Sequence, residues 1–449
     1  MRKRKNTQKA YCDICGQTFS KDDLTLINGL WTCSKDIDAV TDSYLHTPDM
    51  GNVVVADPVV VAQTSLTVKR HGYNSWDDNG IQTAADIELI SRRTFFNVSE
   101  RRKKDVLTRL VASDIKAYNP NIKLYRHFML FGKDWDTDGD TALCAQNPIT
   151  HADLTSNDWY LKVSGDIVTE DANTNWCTVT EAYANAFLAA ALSRMTGEGW
   201  DGVCLDYLIP EGMKYAYTPA YIPDGFASAD AFYTAWQTAI AIVVNGLKAE
   251  GYEVFGNCGG ELHHTTLLST HTEYTPYAYM RTLFDGTCYE QGFMGGWTGT
   301  DCDYQTSWLY RTRLTSLRDD PLNVWLSQNG LKSTATNFAS KKRLCLASYM
   351  LVVPADQSNR AFNVAGDWSV DWDAEYDFDI GEPSAAFVQP DVNIRRYSRV
   401  FTQGMVYMNY EATPYIVSLA KQFVDYDGTN YAAGLYEIPA YTALILKEV

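Results

Sequence analysis

Long hydrophobic runs are missing from this chain. No segment reaches the ~18 consecutive apolar residues that a bilayer crossing requires, so a soluble protein without a membrane partner is expected. The opening "MRKRKNTQK" carries five basic residues in nine, but no apolar stretch of about 7–15 residues follows, so it reads as a flexible tail rather than a secretory signal. Synthesis in the cytoplasm without a signal peptide is the expectation. Positive charge is scarce elsewhere: 38 Lys and Arg face 55 Asp and Glu, a net charge of −17. The body of such a protein repels nucleic acid and anionic membranes. A disulfide framework is also lacking. Of ten cysteines, seven are scattered singly, several inside apolar runs such as Cys204 in "GVCLD", which suits buried thiols made in a reducing compartment. Internal repeats and low-complexity tracts are absent.

Aromatic residues are abundant, with 29 Tyr and 12 Trp among 449 residues, enough that some serve surfaces or clefts. Length and composition permit a large core and two or three units.

The three remaining cysteines cluster at the front, in "YCDICGQTFSKDDLTLINGLWTCSKD". Cys12 and Cys15 form a C-x2-C knuckle and Cys33 follows after one hairpin's length of chain. The place of a fourth thiolate is taken by Asp36, whose carboxylate can complete a tetrahedral zinc site. His46 is the rival ligand, and a metal-free hairpin the alternative. Residues 1–48 are thus expected to be a zinc-ribbon-like module and 49–85 an extended, proline-punctuated arm or linker.

A βα rhythm follows. "TFFNVSE" and "NIKLYRHFMLFG" read as strands around a helical "RRKKDVLTRLVASDIKAY". "TEAYANAFLAAALSRM" leads to the strand "WDGVCLDY". A helix capped by Ser228 and stopped by Gly251 leads to "YEVFGN", and "FDGTCYE", "LNVWLSQ" and "LASYMLVV" supply three more strands. About eight such units over residues 86–365 predict an α/β fold, a (β/α)8 barrel, with a doubly wound sheet as the rival. Residues 366–449 alternate as short strands and predict a C-terminal antiparallel β domain.

Barrels build their sites where strands hand over to loops on one face. Asp206 ends the expected fourth strand, Asn257 the fifth, and Glu290 follows the sixth. Two carboxylates on nearby strand ends are the equipment of glycoside hydrolysis, one as nucleophile or base and one as general acid. The bland alternative is that either one caps a helix or pairs with an arginine such as Arg281. Asp201 and Asp285, at strand starts, read as structural. Tyr207, Tyr289, Trp297 and Trp308 are the candidates for stacking on sugar rings.

The pieces "NPNIKLYRHF", "GWDGVCLDY", "GNCGG", "YEQGFMGGW" and the tail "DFDIGEP…RRYSRVFTQGMVYMNYE…ALILKEV" resemble the glycosyl-hydrolase-like family fifteen, over about Asp86 to Val449. The resemblance implies a barrel like those of α-galactosidases and α-glucanases, with catalytic acids on the fourth and sixth strands, where Asp206 and Glu290 fall. It also implies a retaining mechanism, with Asp206 as nucleophile and Glu290 as acid/base. Tyr207 departs from the family, which often has Asn there. The first fifty residues resemble small zinc-ribbon modules of bacteriophage virion proteins, which implies attachment to a phage particle through virion proteins. The two readings of the whole are a glycoside hydrolase acting on surface polysaccharide and a non-catalytic, glycan-binding decoration or fibre protein of a virion.

"DWDTDGDT" matches half of a calcium loop, with Asp134, Asp136, Asp138, Gly139 and Asp140 in place, but Ala145 stands where the bidentate Glu belongs. The alternatives are calcium at Asp134, Asp136 and Asp138 or a solvated acidic loop after the second strand; the absent ligand favours the loop. His263 and His264 are adjacent and cannot share a helical face as an i,i+4 metal pair would.

Overall fold

The computed structural model describes the strands 9–11, 18–20, 24–27, 30–33, 74–75 and 95–98, helical positions 112 and 115–116, and residues 119–449 apart from 135–145, 170–173, 211–220, 258–275, 290–292, 294–322, 329–330, 332–333, 355–359, 365–373 and 392–393.

Eight strands form the central sheet: β1 (Asn74–Ser75), β2 (Phe95–Val98), β3 (Lys123–Met129), β4 (Gly202–Asp206), β5 (Glu253–Asn257), β6 (Gly286–Tyr289), β7 (Asn323–Gln328) and β8 (Arg360–Val364). All neighbours are parallel and the order in space is the order in sequence. A doubly wound sheet reverses its order at a switch point. Strict succession is the arrangement of a (β/α)8 barrel, which decides between the two expectations.

Helices fill the crossovers: α1 (Glu181–Met195) before β4, α2 (Ala229–Ala249) before β5, α3 (Pro276–Leu283) before β6 and α4 (Phe338–Val352) before β8. Ser228 caps α2 by accepting the Ala231 amide at 3.1 Å, and Gly251 follows the helix at φ +87°; both match the sequence reading. Alternation along the strands separates two cores. Val203, Leu205 and Val254 belong to the large core that includes Phe187 of α1 and Trp236, Ile240 and Val244 of α2. Tyr125, Cys204, Phe255, Cys288 and Trp325, one from each of β3 to β7, form a separate apolar cluster inside the barrel.

Two expectations need correction. Asn74–Ser75 lies within the stretch read as an arm, yet it pairs with Asn97–Val98 as the first barrel strand; two residues are too few to show any period. The acidic "DWDTDGDT" consequently follows the third strand, not the second. "LASYMLVV" is no strand but the second half of α4, buried from Leu344 to Val352. A short apolar run does not distinguish a buried strand from a buried helix. The eighth strand is Arg360–Val364 instead.

The second half of α4, Leu344 to Val352, is buried all round because both faces are covered. Beyond it lies a five-stranded antiparallel sheet in the order β9 (Arg396–Phe401), β10 (Gly404–Asn409), β15 (Thr442–Glu448), β12 (Phe423–Val424), β13 (Asn430–Tyr431), with β11 (Tyr415–Leu419) and β14 (Gly434–Ile438) paired as a second layer. Helix α4 touches β9, β10 and β15. Arg399 of β9 reaches the end of α4 and donates from Nη1 to the carbonyls of Met350, Leu351 and Val353 at 2.8, 2.9 and 2.6 Å. A guanidinium thereby satisfies carbonyls that a helix C-terminus leaves without partners. No helix among the described residues is long and apolar enough to cross a membrane.

Candidate active site

The period of two that buries Cys204 inside the barrel also aims Asp206 inward, one layer higher. The same step carries β3 from Tyr125 to His127 and β5 from Phe255 to Asn257. At the C-terminal ends of three adjacent strands, Asp206 and Asn257 therefore stand level above Cys204 and Phe255, and His127 lies one step lower, beside Cys204. In β4 and β5 the register pairs Leu205 with Gly256, so Asp206 and Asn257 come one position further along neighbouring strands.

Asp206 is 9% exposed and His127 2%. His127 Nε2 lies 3.3 Å from Asp206 Oδ2, and the Tyr207 amide donates to Oδ1 at 2.7 Å. Both carboxylate oxygens are thus engaged. Neither of the bland roles occurs among the described residues: no arginine reaches Asp206 and no helix begins at it.

Tyr207 has φ +51°, a left-handed conformation that costs an L-residue roughly 1–2 kcal/mol. The chain holds it there by two backbone bonds, from the Leu130 amide to the Asp206 carbonyl at 2.8 Å and from the Phe131 amide to the Tyr207 carbonyl at 3.1 Å. The ring rests against buried Trp176, with centroids 5.3 Å apart. Gly132 makes room for it, since a Cβ at that position would lie 2.5 Å from Tyr207 Cδ1. Backbone strain of this kind concentrates at functional sites. Here it turns Tyr207 into a half-buried aromatic wall next to the carboxylate.

Behind that wall, Asn147 donates to the Gly132 carbonyl at 2.8 Å and to Tyr183 Oη at 2.9 Å, and Tyr183 donates to the Leu130 carbonyl. Burial pushes the neighbouring Cys177 thiol up to about 12, so it is an inert part of this support. At the opposite end of the barrel, Asp201 accepts the Leu124 amide and pairs with Lys116, while Asp285 accepts the Val254 amide and pairs with Lys248. Each ties one strand start to the preceding strand, as expected of structural carboxylates.

Of the residues singled out in the sequence, Asp206, Tyr207 and Asn257 come together. Tyr289 is the last residue of β6, and Glu290, Trp297 and Trp308 lie outside the described residues, as do His263 and His264. Cys33 closes a strand of the antiparallel hairpin Leu24–Ile27 with Leu30–Cys33; Cys12, Cys15, Asp36 and His46 lie outside. Asp134 ends the strand Gly132–Asp134, while Asp136, Asp138, Gly139, Asp140 and Ala145 lie outside. Among the described residues no group of three or more His, Cys, Asp or Glu side chains is arranged to hold a metal. The sequence reading missed His127, Trp176 and Gly132. His127 carries a signal in hindsight, since it occupies an inward-facing position of an apolar strand two residues beyond Tyr125.

A sequence model of hypothetical glycosyl hydrolase family 15 matches residues 116–405. No curated protein matches the chain. Among solved structures, an α-amylase from Malbranchea cinnamomea is 12% identical at a TM-score of 0.43, over 84% of this chain and 96% of its own. An α-amylase from Lactobacillus plantarum is 10% identical at a TM-score of 0.47, over 85% and 99%. Aspergillus fumigatus Ega3, solved with galactosamine, is 9% identical at 0.36, over 69% and 95%. These are distant likenesses.

Proposed function

The chain belongs to hypothetical glycosyl hydrolase family 15, and from that premise we propose that it hydrolyses glycosidic bonds at the C-terminal mouth of the barrel, with Asp206 as the attacking carboxylate. The carrying observation is the position of Asp206: the end of the fourth strand, inward-facing, one step above the apolar Cys204 and Phe255, with one oxygen engaged by His127 and the other by the Tyr207 amide. In a retaining reaction Asp206 attacks the anomeric carbon as Glu290 protonates the leaving oxygen. Water then releases the sugar with Glu290 as base. Glu290 directly follows β6, two strands from Asp206, which is consistent with that partnership. Tyr207 offers an aromatic surface beside the reacting carbon, and Asn257 a neutral hydrogen-bonding group on the next strand. Polysaccharide is the proposed substrate class.

The test is a panel of 4-nitrophenyl α- and β-glycosides and capsular or cell-envelope polysaccharides, incubated with wild type and with Asp206→Asn. Turnover by wild type alone supports the reading. Polysaccharide retained without cleavage by both proteins replaces it with the glycan-binding reading.

The N-terminal segment carries a second proposal, zinc held by Cys12, Cys15, Cys33 and Asp36 and attachment of the protein to a phage particle. Its support is the pairing of two short hairpins, Lys9–Tyr11 with Thr18–Ser20 and Leu24–Ile27 with Leu30–Cys33. The cysteine knuckle falls between the first two strands in sequence and Cys33 ends the last. Metal analysis of chelator-free protein against Cys15→Ser tests the zinc. Loss of particle incorporation after deletion of residues 1–82 tests the attachment.

A further inference from the structure

We propose that His127 is the positioning residue of this site: it fixes the plane of the Asp206 carboxylate for in-line attack and does not itself touch the sugar. The inference rests on the hydrolase reading above.

Three observations carry it. His127 is 2% exposed, which closes it to a substrate. By register it stands beside Cys204, one layer beneath Asp206, so the carboxylate lies between it and the mouth. Its Nε2 is 3.3 Å from Oδ2, while the opposite oxygen is held by the Tyr207 amide. A carboxylate on a short side chain retains one soft rotation about its Cβ–Cγ bond. Fixing one oxygen from the backbone and the other from a buried ring removes that freedom at both ends. Precise placement matters because displacement of a reacting group by about 1 Å can cost roughly 100-fold in rate.

Tyr207 adjoins the same device: its amide is the donor to Oδ1, and its positive φ turns the chain immediately after that amide. A backbone amide and a buried imidazole therefore serve one carboxylate.

The experiment uses the full chain in two arms. In the first, 13C-histidine-labelled wild type and Asp206→Asn are compared by NMR, with the His127 signal assigned by its disappearance in His127→Gln. A displaced His127 ring signal in Asp206→Asn supports the contact, and an unchanged signal overturns it, whether or not any glycoside is cleaved. In the second, His127→Gln, which retains a donor near the Nε2 position, and His127→Leu, which has none, are assayed on the best 4-nitrophenyl glycoside. His127→Leu should lower kcat about 10- to 100-fold with KM within about threefold. His127→Gln should recover part of that loss, and both should melt at the same temperature. Wild-type kcat in His127→Leu, or equal losses in the two variants, overturns the positioning role. Absence of turnover by wild type overturns the hydrolase reading and leaves the first arm to decide whether His127 holds Asp206.

Discussion

The barrel mouth and the C-terminal β domain use polar residues in opposite ways. In the β domain, polar groups are consumed by the backbone. Arg399 donates to the carbonyls of Ala385, Met350, Leu351 and Val353, and Asn409 donates to those of Thr413, Ile438 and Pro439. Gly404 leaves space for the Leu446 carbonyl, which a Cβ would meet at 2.0 Å. These residues belong to the tail in which the sequence resembles the family. Their structural work is to seat the β sheet on α4. At the mouth the polar groups serve a side chain instead: His127 and the Tyr207 amide each engage one oxygen of Asp206. A distinctive motif can thus record how a domain is held, while the chemistry depends on a carboxylate in an ordinary-looking strand.

Substitutions at the two places should separate these uses. Asp206→Asn is expected to lower turnover by at least about 1,000-fold, as loss of a nucleophile does, with a melting temperature close to wild type. A large fall in both would put Asp206 among the structural residues and erase the contrast. Arg399→Leu should destabilise by about 3–5 kcal/mol, because several buried carbonyls lose their donor together; thermal unfolding reads this as an early melting of α4 and the sheet. Gly132→Ala sharpens the comparison at the mouth. Its methyl collides with the Tyr207 ring, at a cost of about 1–3 kcal/mol, and turnover should fall further than stability predicts because the wall beside Asp206 moves. The smallest effect concerns reactivity. With its thiol raised to about 12 by burial, Cys177 carries almost no thiolate at pH 8. It should stay unmodified by iodoacetamide in the native protein and react on unfolding, as peptide mass mapping would show.

The barrel was legible because long helices such as α2 and alternating strands such as β4 each carry their own period, and a strand end is defined locally. Asp206 and Asn257 could be placed on that basis alone. Three features had no such local signature. Strand β1 is two residues long and exists only through its pairing with β2. Helix α4 lost its amphipathic stripe because the β domain covers the face that solvent would otherwise keep polar. His127 looks like a core histidine until the register shows that it lies under Asp206. In each case the missing information was a long-range contact.

The double burial of α4 also has a consequence in time. During synthesis the helix emerges before β8 and well before β15, which lies in the middle of the outer sheet between β10 and β12. Until Thr442–Glu448 has been made, the sheet lacks its central strand and the outer side of α4 has no cover. A nascent chain therefore presents the apolar second half of this helix to its surroundings from the making of Val352 until that of Thr442–Glu448, and a message truncated before Thr442 yields a product that chaperones and proteases can recognise by that exposed face. The arrangement makes completion of the polypeptide a condition for the barrel's own last crossover to settle.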